Sequence, residues 1–413
     1  MKARMRRTFR SLENPNYRIW IAGAFVSNTG TWIQRVSQDW LVLTVLTRNS
    51  ASALGLIMAL QFGPQFLLLP FTGYAADHWN QRRLLMVTQA TMGILAMALG
   101  LLTITGLVRL WHVCIFAFLS GSAAAFDAPV RQTFVTELVG DRDLPNAVAL
   151  NSTSFNSARM IGPAMAGLII ASVGLGWAFL INGVSFFAVL ISLARLRISE
   201  LHVRPRALRA KGSFTEGFRY AWRRSDLRIT LIMLFLIGTF GLNFTIFIST
   251  MAVRVFHVGA GGYGLLSSAM AVGTISGALT NASRNHPRFE TLLGASFLFG
   301  AGCTLAALAP LYGIFAATLA LTGFASLSFT NTSNSLIQLS TEPSMRGRVM
   351  ALRIGFALGG TPIGAPIVGA IADHWGPRWA LGVGALAGFA SALIGVGAFL
   401  RGNVSNRPNL DQQ

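Results

Sequence analysis

IGPAMAGLIIASVGLGWA, residues 161–178, returns 202 residues later as IGAPIVGAIADHWGPRWA, residues 363–380. The two stretches align without gaps, and seven of 18 positions are identical: Ile161/Ile363, Gly162/Gly364, Gly167/Gly369, Ile169/Ile371, Gly174/Gly376, Trp177/Trp379 and Ala178/Ala380. Each is an apolar run, a break at a glycine, and a Trp-Ala pair that opens the next run. Matched Gly and Trp in one register read as the same structural element used twice. Working outward, the longest hydrophilic interruption, about 197–228, lies between the copies and is rich in Arg. The chain therefore divides into an N-terminal half (1–196), a basic linker (197–228) and a C-terminal half (229–413).

The material of the halves is apolar. Of 413 residues, 53% are hydrophobic and only 11% charged, and the mean hydropathy is +0.56. Soluble chains carry roughly 25% charged residues. Runs of about 20 apolar residues, enough to cross about 30 Å of hydrocarbon as helix, recur throughout. A membrane β-barrel would show short alternating segments instead. The expected architecture is an all-α polytopic membrane protein. Twelve spans are read at about 19–46, 52–76, 84–106, 110–130, 147–173, 176–195, 229–253, 262–282, 290–309, 311–333, 349–371 and 378–400.

A formal charge of +19 first suggests nucleic acid, but its distribution does not. With the N-terminus inside, Arg48, Arg109, Arg254 and Arg378 fall outside and Arg35 and Arg159 within spans; the other Lys and Arg, Arg353 among them, lie on the cytoplasmic side or at cytoplasmic helix ends. That is the positive-inside pattern, which places both termini in the cytoplasm and leaves no call for a nucleic-acid partner. The first apolar run is too long for a signal peptide and lacks an A-x-A site, so it reads as a retained span. Cys114 and Cys303 sit in separate spans and imply neither disulfide nor metal. There is no phosphate-binding loop: the only lysines, Lys2 and Lys211, lie in no such context. No nucleophile–base or metal constellation appears, so neither an enzyme nor a cofactor is expected. Within the linker, SFTEGFRYAWRR places Phe214, Phe218 and Ala221/Trp222 on one face, with Arg219, Arg223 and Arg224 around it. This reads as a basic amphipathic helix on the cytoplasmic leaflet, with membrane lipids as partners.

Between the second and third spans stands GYAADHWNQRR, residues 73–83. It resembles the loop pattern G-x-L-A-D-R-x-G-R-[KR] of the major facilitator superfamily, with His78 in place of Arg and Asn80 in place of the second Gly. SARMIGP…G (157–167) resembles the Gly-Pro motif that antiporters of this superfamily carry in span five. FDAPVRQTFVTELVGDRDLPNAVALNS (126–152) and WIQRVSQDWLVL (32–43) resemble its enterobactin-exporter-like, drug-efflux branch. The resemblance implies two parallel six-helix pseudo-repeats, the major facilitator fold, with substrate taken between the repeats. It also implies a gating motif of Gly73, Asp77, Arg82, Arg83 and Arg131, with Asp77 as an electrostatic latch. Gly162, Pro163 and Gly167 form the helix-kink motif: Pro163 removes a backbone hydrogen bond, and the glycines allow close packing. A packing kink without directional meaning is the alternative.

VSNTGTWIQRVSQDW (26–40) is the polar exception in the first span. At about 100° per residue, Asn28, Trp32, Arg35 and Asp39 share one face, with Thr31 and Gln38 beside it. A polar stripe within a span faces a bundle interior or water, because lipid exposure is costly. The resemblance implies that spans one, four, seven and ten line the transport cavity. Those spans add Ser120, Ser122, Asn243, Thr245, Ser326, Ser328, Thr330, Asn331 and Asn334, with Phe126, Phe240, Phe244 and Phe324 as an apolar wall. For any single Ser or Asn, an interhelical hydrogen bond is the competing reading. By position, Asp39 and Asp127 are the acidic residues left inside spans, each with an Arg four residues away, Arg35 and Arg131. Asp39 and Asp127 are the proton-coupling candidates, with Asp39 preferred and a gating role favoured for Asp127; a structural Asp39–Arg35 pair is the competing reading. Arg159, near the middle of span five, is the expected contact for an anionic substrate group.

The resemblance implies export of a drug-like or siderophore-like small molecule, by alternating access and in exchange for protons. The protein would work as a monomer in a bacterial cytoplasmic membrane. An importer or uniporter, or a non-transporting membrane sensor or scaffold on the same fold, remains open from the sequence.

Overall fold

The computed structural model describes residues 10–68, 71, 72, 75, 79–202, 214–282, 288–342 and 345–402. Among these the chain is all helical, with no strand. The helices are α1 (Pro15–Trp40), α2 (Ala51–Leu67), α3 (Gln81–Ile104), α4 (Leu110–Ser172), α5 (Leu175–Ala194), α6 (Phe214–Arg223), α7 (Ser225–Leu236) and α8 (Phe244–Thr250). They continue as α9 (Ala260–Ala282), α10 (Phe289–Leu308), α11 (Tyr312–Ser340), α12 (Arg346–Leu358), α13 (Thr361–His374) and α14 (Pro377–Leu400).

Among the described residues, eight helical stretches are long and apolar enough to cross a membrane: Gln81–Ile104, Leu110–Gly140, Leu175–Ala194, Ser225–Val255, Phe289–Leu308, Tyr312–Ser340, Arg346–His374 and Pro377–Leu400. The protein is a multi-pass membrane protein. α2, with 17 residues, is a shorter apolar helix. α1 is 26 residues long, and its polar stripe, not its length, lowers its hydropathy. In α9 the Gly, Ser and Thr residues do the same.

Several elements differ from a plain reading of the sequence; the eleventh expected span, for one, is interrupted at Gly359 and Gly360 between α12 and α13. α4 runs from the fourth expected span into the fifth, and its one non-helical residue is Gly140 (φ 69°, ψ −179°). The seventh expected span is not one continuous α-helix. It contains two π-helical stretches, Ile237–Gly241 and Met251–Val255, and opens at Leu242 and Asn243 before α8. The turn joining α4 to α5 and the turn joining α13 to α14 carry the sequence repeat into conformation. Gly174 has φ 95° and ψ 169°, and Gly376 has φ 101° and ψ 162°. That region is open essentially to glycine alone, which is why both copies keep Gly there.

The chain forms two compact units. The first comprises residues 1–47, 63–208 and 260–268; the second comprises 48–62, 209–259 and 269–413. In the first, α1 packs against α4 and α5, and α3 against α5. Its core gathers Tyr17, Trp20, Leu85, Phe134, Leu138 and Leu193, all buried. In the second, α10 packs against α11 and α14, around Met233, Phe289, Phe299, Cys303 and Phe329. Glycine sets the closest approaches within each unit. A Cβ on Gly167 would stand 2.9 Å from Gly261 Cα in the first, and one on Gly369 would stand 2.5 Å from the Ala51 carbonyl oxygen in the second. These two glycines are a matched pair of the repeat.

Candidate functional site

The polar stripe of α1 lies in the first unit. Asn28, Trp32 and Arg35 are half-buried, while Gln38 and Asp39 are buried. Asp39 accepts a hydrogen bond of 2.9 Å from the Tyr263 hydroxyl. Tyr263, on the first turn of α9, is itself buried and stacks on Trp40 with ring centroids 6.0 Å apart. One turn before Asp39, the Arg35 guanidinium lies over the Trp32 ring, 4.8 Å from its centroid. Arg159, from α4, lies against the same ring at 5.5 Å. Phe155 meets Trp32 edge-on at 6.0 Å.

The kink motif explains how α4 reaches this place. Gly162 carries no side chain where a Cβ would collide with Trp32 Cβ, so α4 lies directly on α1 and Arg159 reaches Trp32. Pro163 offers no N–H to the preceding turn. In that turn the Met160 carbonyl accepts from the Ser268 hydroxyl at 3.1 Å. The Pro163 carbonyl faces Gly264, where any side chain would clash. Residues 160–167 of α4 and 260–268 of α9 are thus joined closely, and Tyr263 is carried to Asp39. On the other flank of α1, Asn182 donates to Gln34.

Asp127 is held quite differently. Arg131 donates to it through Nε at 2.9 Å, and the Arg131 Nη2 stands in ion-pair contact at 2.9 Å. Thr88 donates at 2.9 Å and Gln89 at 2.6 Å. Its two carboxylate oxygens therefore carry three hydrogen bonds, of which those from Thr88 and Gln89 link α3 to α4, and Arg131 also lies over Trp20 at 5.7 Å. Asp39, by contrast, is joined to another helix through the Tyr263 phenol.

Of the gating motif, Gly73 and Asp77 lie outside the described residues. Arg82 donates to the carbonyls of Leu193 (2.7 Å) and Ala194 (3.4 Å), closing the last turn of α5. Asn80, where the superfamily pattern has Gly, caps α3 by accepting from the Arg83 backbone N–H at 3.0 Å; Asn is among the best residues for that position. The Arg83 side chain is exposed.

The remaining expected residues have surroundings of their own. Phe126 packs on the core of the first unit. Asn243, Phe244, Asn331 and Asn334 belong to the second unit. Asn243 is buried at the opening of the helix and donates to the Thr239 carbonyl at 2.7 Å. Phe244 meets Phe247 and Phe299 edge-on at 6.2 Å and 6.1 Å, so it is part of an aromatic core. Asn331 and Asn334 are half-buried on α11.

Sequence reasoning missed two residues. Tyr263 was readable in principle, as the one large hydroxyl-bearing side chain in AGGYGLLSS. Arg353 was assigned to a cytoplasmic helix end. It is half-buried on α12 and donates to the Thr330 carbonyl at 3.1 Å, and its Nε is buried with no partner among the described residues.

A family model described as transmembrane secretion effector matches residues 7–409. The chain belongs to that family, a branch of the major facilitator superfamily. It is a transport protein, not an enzyme. Three relatives are similar over most of their length. The staphyloferrin A transporter of Staphylococcus aureus is 25% identical over 370 residues, 86% of this chain and 89% of its own. The multidrug efflux pump Tap of Mycolicibacterium fortuitum is 26% identical over 367 residues, 86% and 88% respectively. The enterobactin exporter EntS of Escherichia coli is 24% identical over 393 residues, 93% and 91%. A solved structure of a POT family transporter in complex with 5-aminolevulinic acid superposes with a TM-score of 0.74 at 11% identity, over 95% of this chain and 97% of that one. At that identity the likeness speaks for the fold alone.

Proposed function

We propose that this secretion-effector family member exports a drug-like or siderophore-like small molecule in exchange for protons, by alternating access, with Asp39 as the proton-carrying residue. The observation that carries the reading is the Asp39–Tyr263 hydrogen bond, made by a buried carboxylate on a stripe otherwise occupied by Arg35 and Trp32. Acidic groups within a membrane span are costly and mark proton or substrate pathways. Asp127 has the bonding of a structural carboxylate, fully engaged by Arg131, Thr88 and Gln89, which supports a gating or scaffolding role there. Trp32, with Arg35 and Arg159 against its ring, offers an aromatic and cationic surface to a substrate carrying a planar or anionic group.

In this reading twelve spans form two six-span halves, 1–196 and 229–413, joined by the linker 197–228. The monomer sits in a bacterial cytoplasmic membrane with both termini inside. The repeated Gly174 and Gly376 turns support the two-half plan, and the arginine distribution supports the orientation. Orientation is tested by cysteine labelling at position 213, which should require a membrane-permeant reagent.

The function is tested in proteoliposomes with an imposed pH gradient, using compounds first found by susceptibility and metabolite-export profiling of a deletion strain. Asp39→Asn should abolish uphill transport, and Asp127→Asn should preserve the coupling. The opposite result reverses the assignment. Uphill transport by both variants rejects carboxylate coupling, and purely downhill movement in the wild type points to a uniporter.

A further inference from the structure

The sequence assigns α6 a single apolar face, but the helix has two. Its inward face is Gly217, Tyr220 and Ala221. A Cβ on Gly217 would lie 2.7 Å from Arg348 Cβ, and Ala221 is buried in a cluster with Leu227, Ile337, Val349 and Leu352. That face docks α6 on α12. The only acidic residue of the helix, Glu216, is taken by Arg348 at 2.9 Å.

The outward face is Thr215, Phe218, Arg219, Trp222 and Arg223, at i, i+3, i+4, i+7 and i+8. These residues line a concave space of about 530 Å³. Phe218 and Trp222 stack on each other, 5.1 Å between centroids and 15° between planes, yet remain 39% and 40% exposed. Two large aromatics held rigidly together and left open are a costly surface in water. Arg219 and Arg223 flank them, both exposed, and neither makes a hydrogen bond or ion pair among the described residues.

The neighbouring arginine shows what satisfaction looks like here. Burial works against the Arg224 charge, but its hydrogen bonds to Asp226 and Tyr220 hold its pKa above the ordinary arginine value. The next residue, Ser225, begins a helical stretch that runs to Val255 and is apolar enough to span a membrane. The open aromatic pair and the unpaired arginines thus sit at the level where a span meets the membrane surface. That is where Trp anchors, and where each basic side chain gains from acidic headgroups.

We propose that the outward face of α6 is a binding site for an anionic phospholipid, with Phe218 and Trp222 against the glycerol and upper acyl region and Arg219 and Arg223 on the phosphate. A neutral lipid satisfies the aromatics but not the cations, and a soluble phosphate does the reverse. An acidic lipid matches both, and its binding is independent of what the protein transports.

The test uses the full-length protein in nanodiscs of phosphatidylcholine containing one-fifth phosphatidylglycerol. Bromine, a contact quencher of Trp, is placed near the glycerol on one lipid or the other. Subtracting the signal of Trp222→Phe isolates Trp222, and the quenching of the other tryptophans reports that each variant is folded. Brominated phosphatidylglycerol should quench Trp222 several-fold more, per lipid, than brominated phosphatidylcholine. Arg219→Gln with Arg223→Gln should remove this preference, at roughly five-fold per arginine, while contact with phosphatidylcholine persists. Equal quenching per lipid in the wild type overturns the anionic site. Absence of quenching by either lipid also overturns it, and means that a second copy or another protein covers the face.

Discussion

The Tyr263 hydroxyl donates to the Asp39 carboxylate at 2.9 Å, joining residues 224 positions apart in the chain. The bond links the polar stripe of α1 to the first turn of α9. Tyr263→Phe removes a hydrogen bond to a charged group, worth about 1.5–3 kcal/mol. Gradient-driven transport should fall by roughly tenfold or more in this variant, with protein yield unchanged. Transport kinetics identical to wild type would remove Tyr263 from the cycle.

Asp127 and Arg131 make opposite demands. The pair is largely buried, with side-chain exposures of 8% and 18%, and Arg131 Nη1 has no partner among the described residues. Asp127→Asn leaves a buried cation uncompensated, a loss of about 3–5 kcal/mol. A melting midpoint several degrees lower in detergent is expected. Replacing both residues, Asp127→Leu with Arg131→Met, should recover most of the loss, because no charge is then stranded. A double variant as unstable as the single one would show that Thr88 and Gln89 depend on the carboxylate itself.

Gly162 and Gly63 form an internal contrast. A Cβ at Gly162 runs into Trp32, whereas a Cβ at Gly63 meets nothing within 4 Å among the described residues. Gly162→Ala should cost about 1–3 kcal/mol through overpacking and depress transport, since Trp32 and Arg159 are displaced together. Gly63→Ala should leave both stability and transport near wild type. Equal tolerance at the two positions, measured by thermal melting and uptake, would refute close packing of α4 on α1.

Asp373 caps α2 from within the second unit. It accepts from the backbone N–H groups of Ala51 and Ser52, both at 2.8 Å, and from the Ser50 hydroxyl at 3.0 Å. Arg254 donates to it at 2.5 Å and to the Ala372 carbonyl at 3.0 Å. Asp373→Ala removes the cap, at about 0.5–2 kcal/mol, and hydrogen exchange of residues 51–53 should quicken by roughly tenfold. Arg254→Gln leaves the cap in place and should change that exchange far less. Equal effects of the two variants would make the ion pair, not the cap, the stabilising element.

What was legible in the sequence is what depends on local composition. Apolar run length and low charge density announce a multi-pass helical protein, because hydrocarbon forbids unsatisfied backbone. The Gly174 and Gly376 breaks could be read because their backbone conformation admits little else. The polar stripe of α1 was visible because a spanning helix has few reasons to carry Arg35 and Asp39. Only the tertiary structure decided what those side chains meet. Asp39 and Asp127 look alike in sequence, each with an Arg four residues away. Yet Asp127 is enclosed by Thr88 and Gln89 from α3, while Asp39 faces Tyr263 from α9. Phe244 turned out to be core, Arg353 to be half-buried, and α6 to have two apolar faces. None of these follows from periodicity, because periodicity says which residues share a face of one helix, while the neighbour that face receives is set by close approaches such as Gly162 on Trp32 and Gly217 on Arg348.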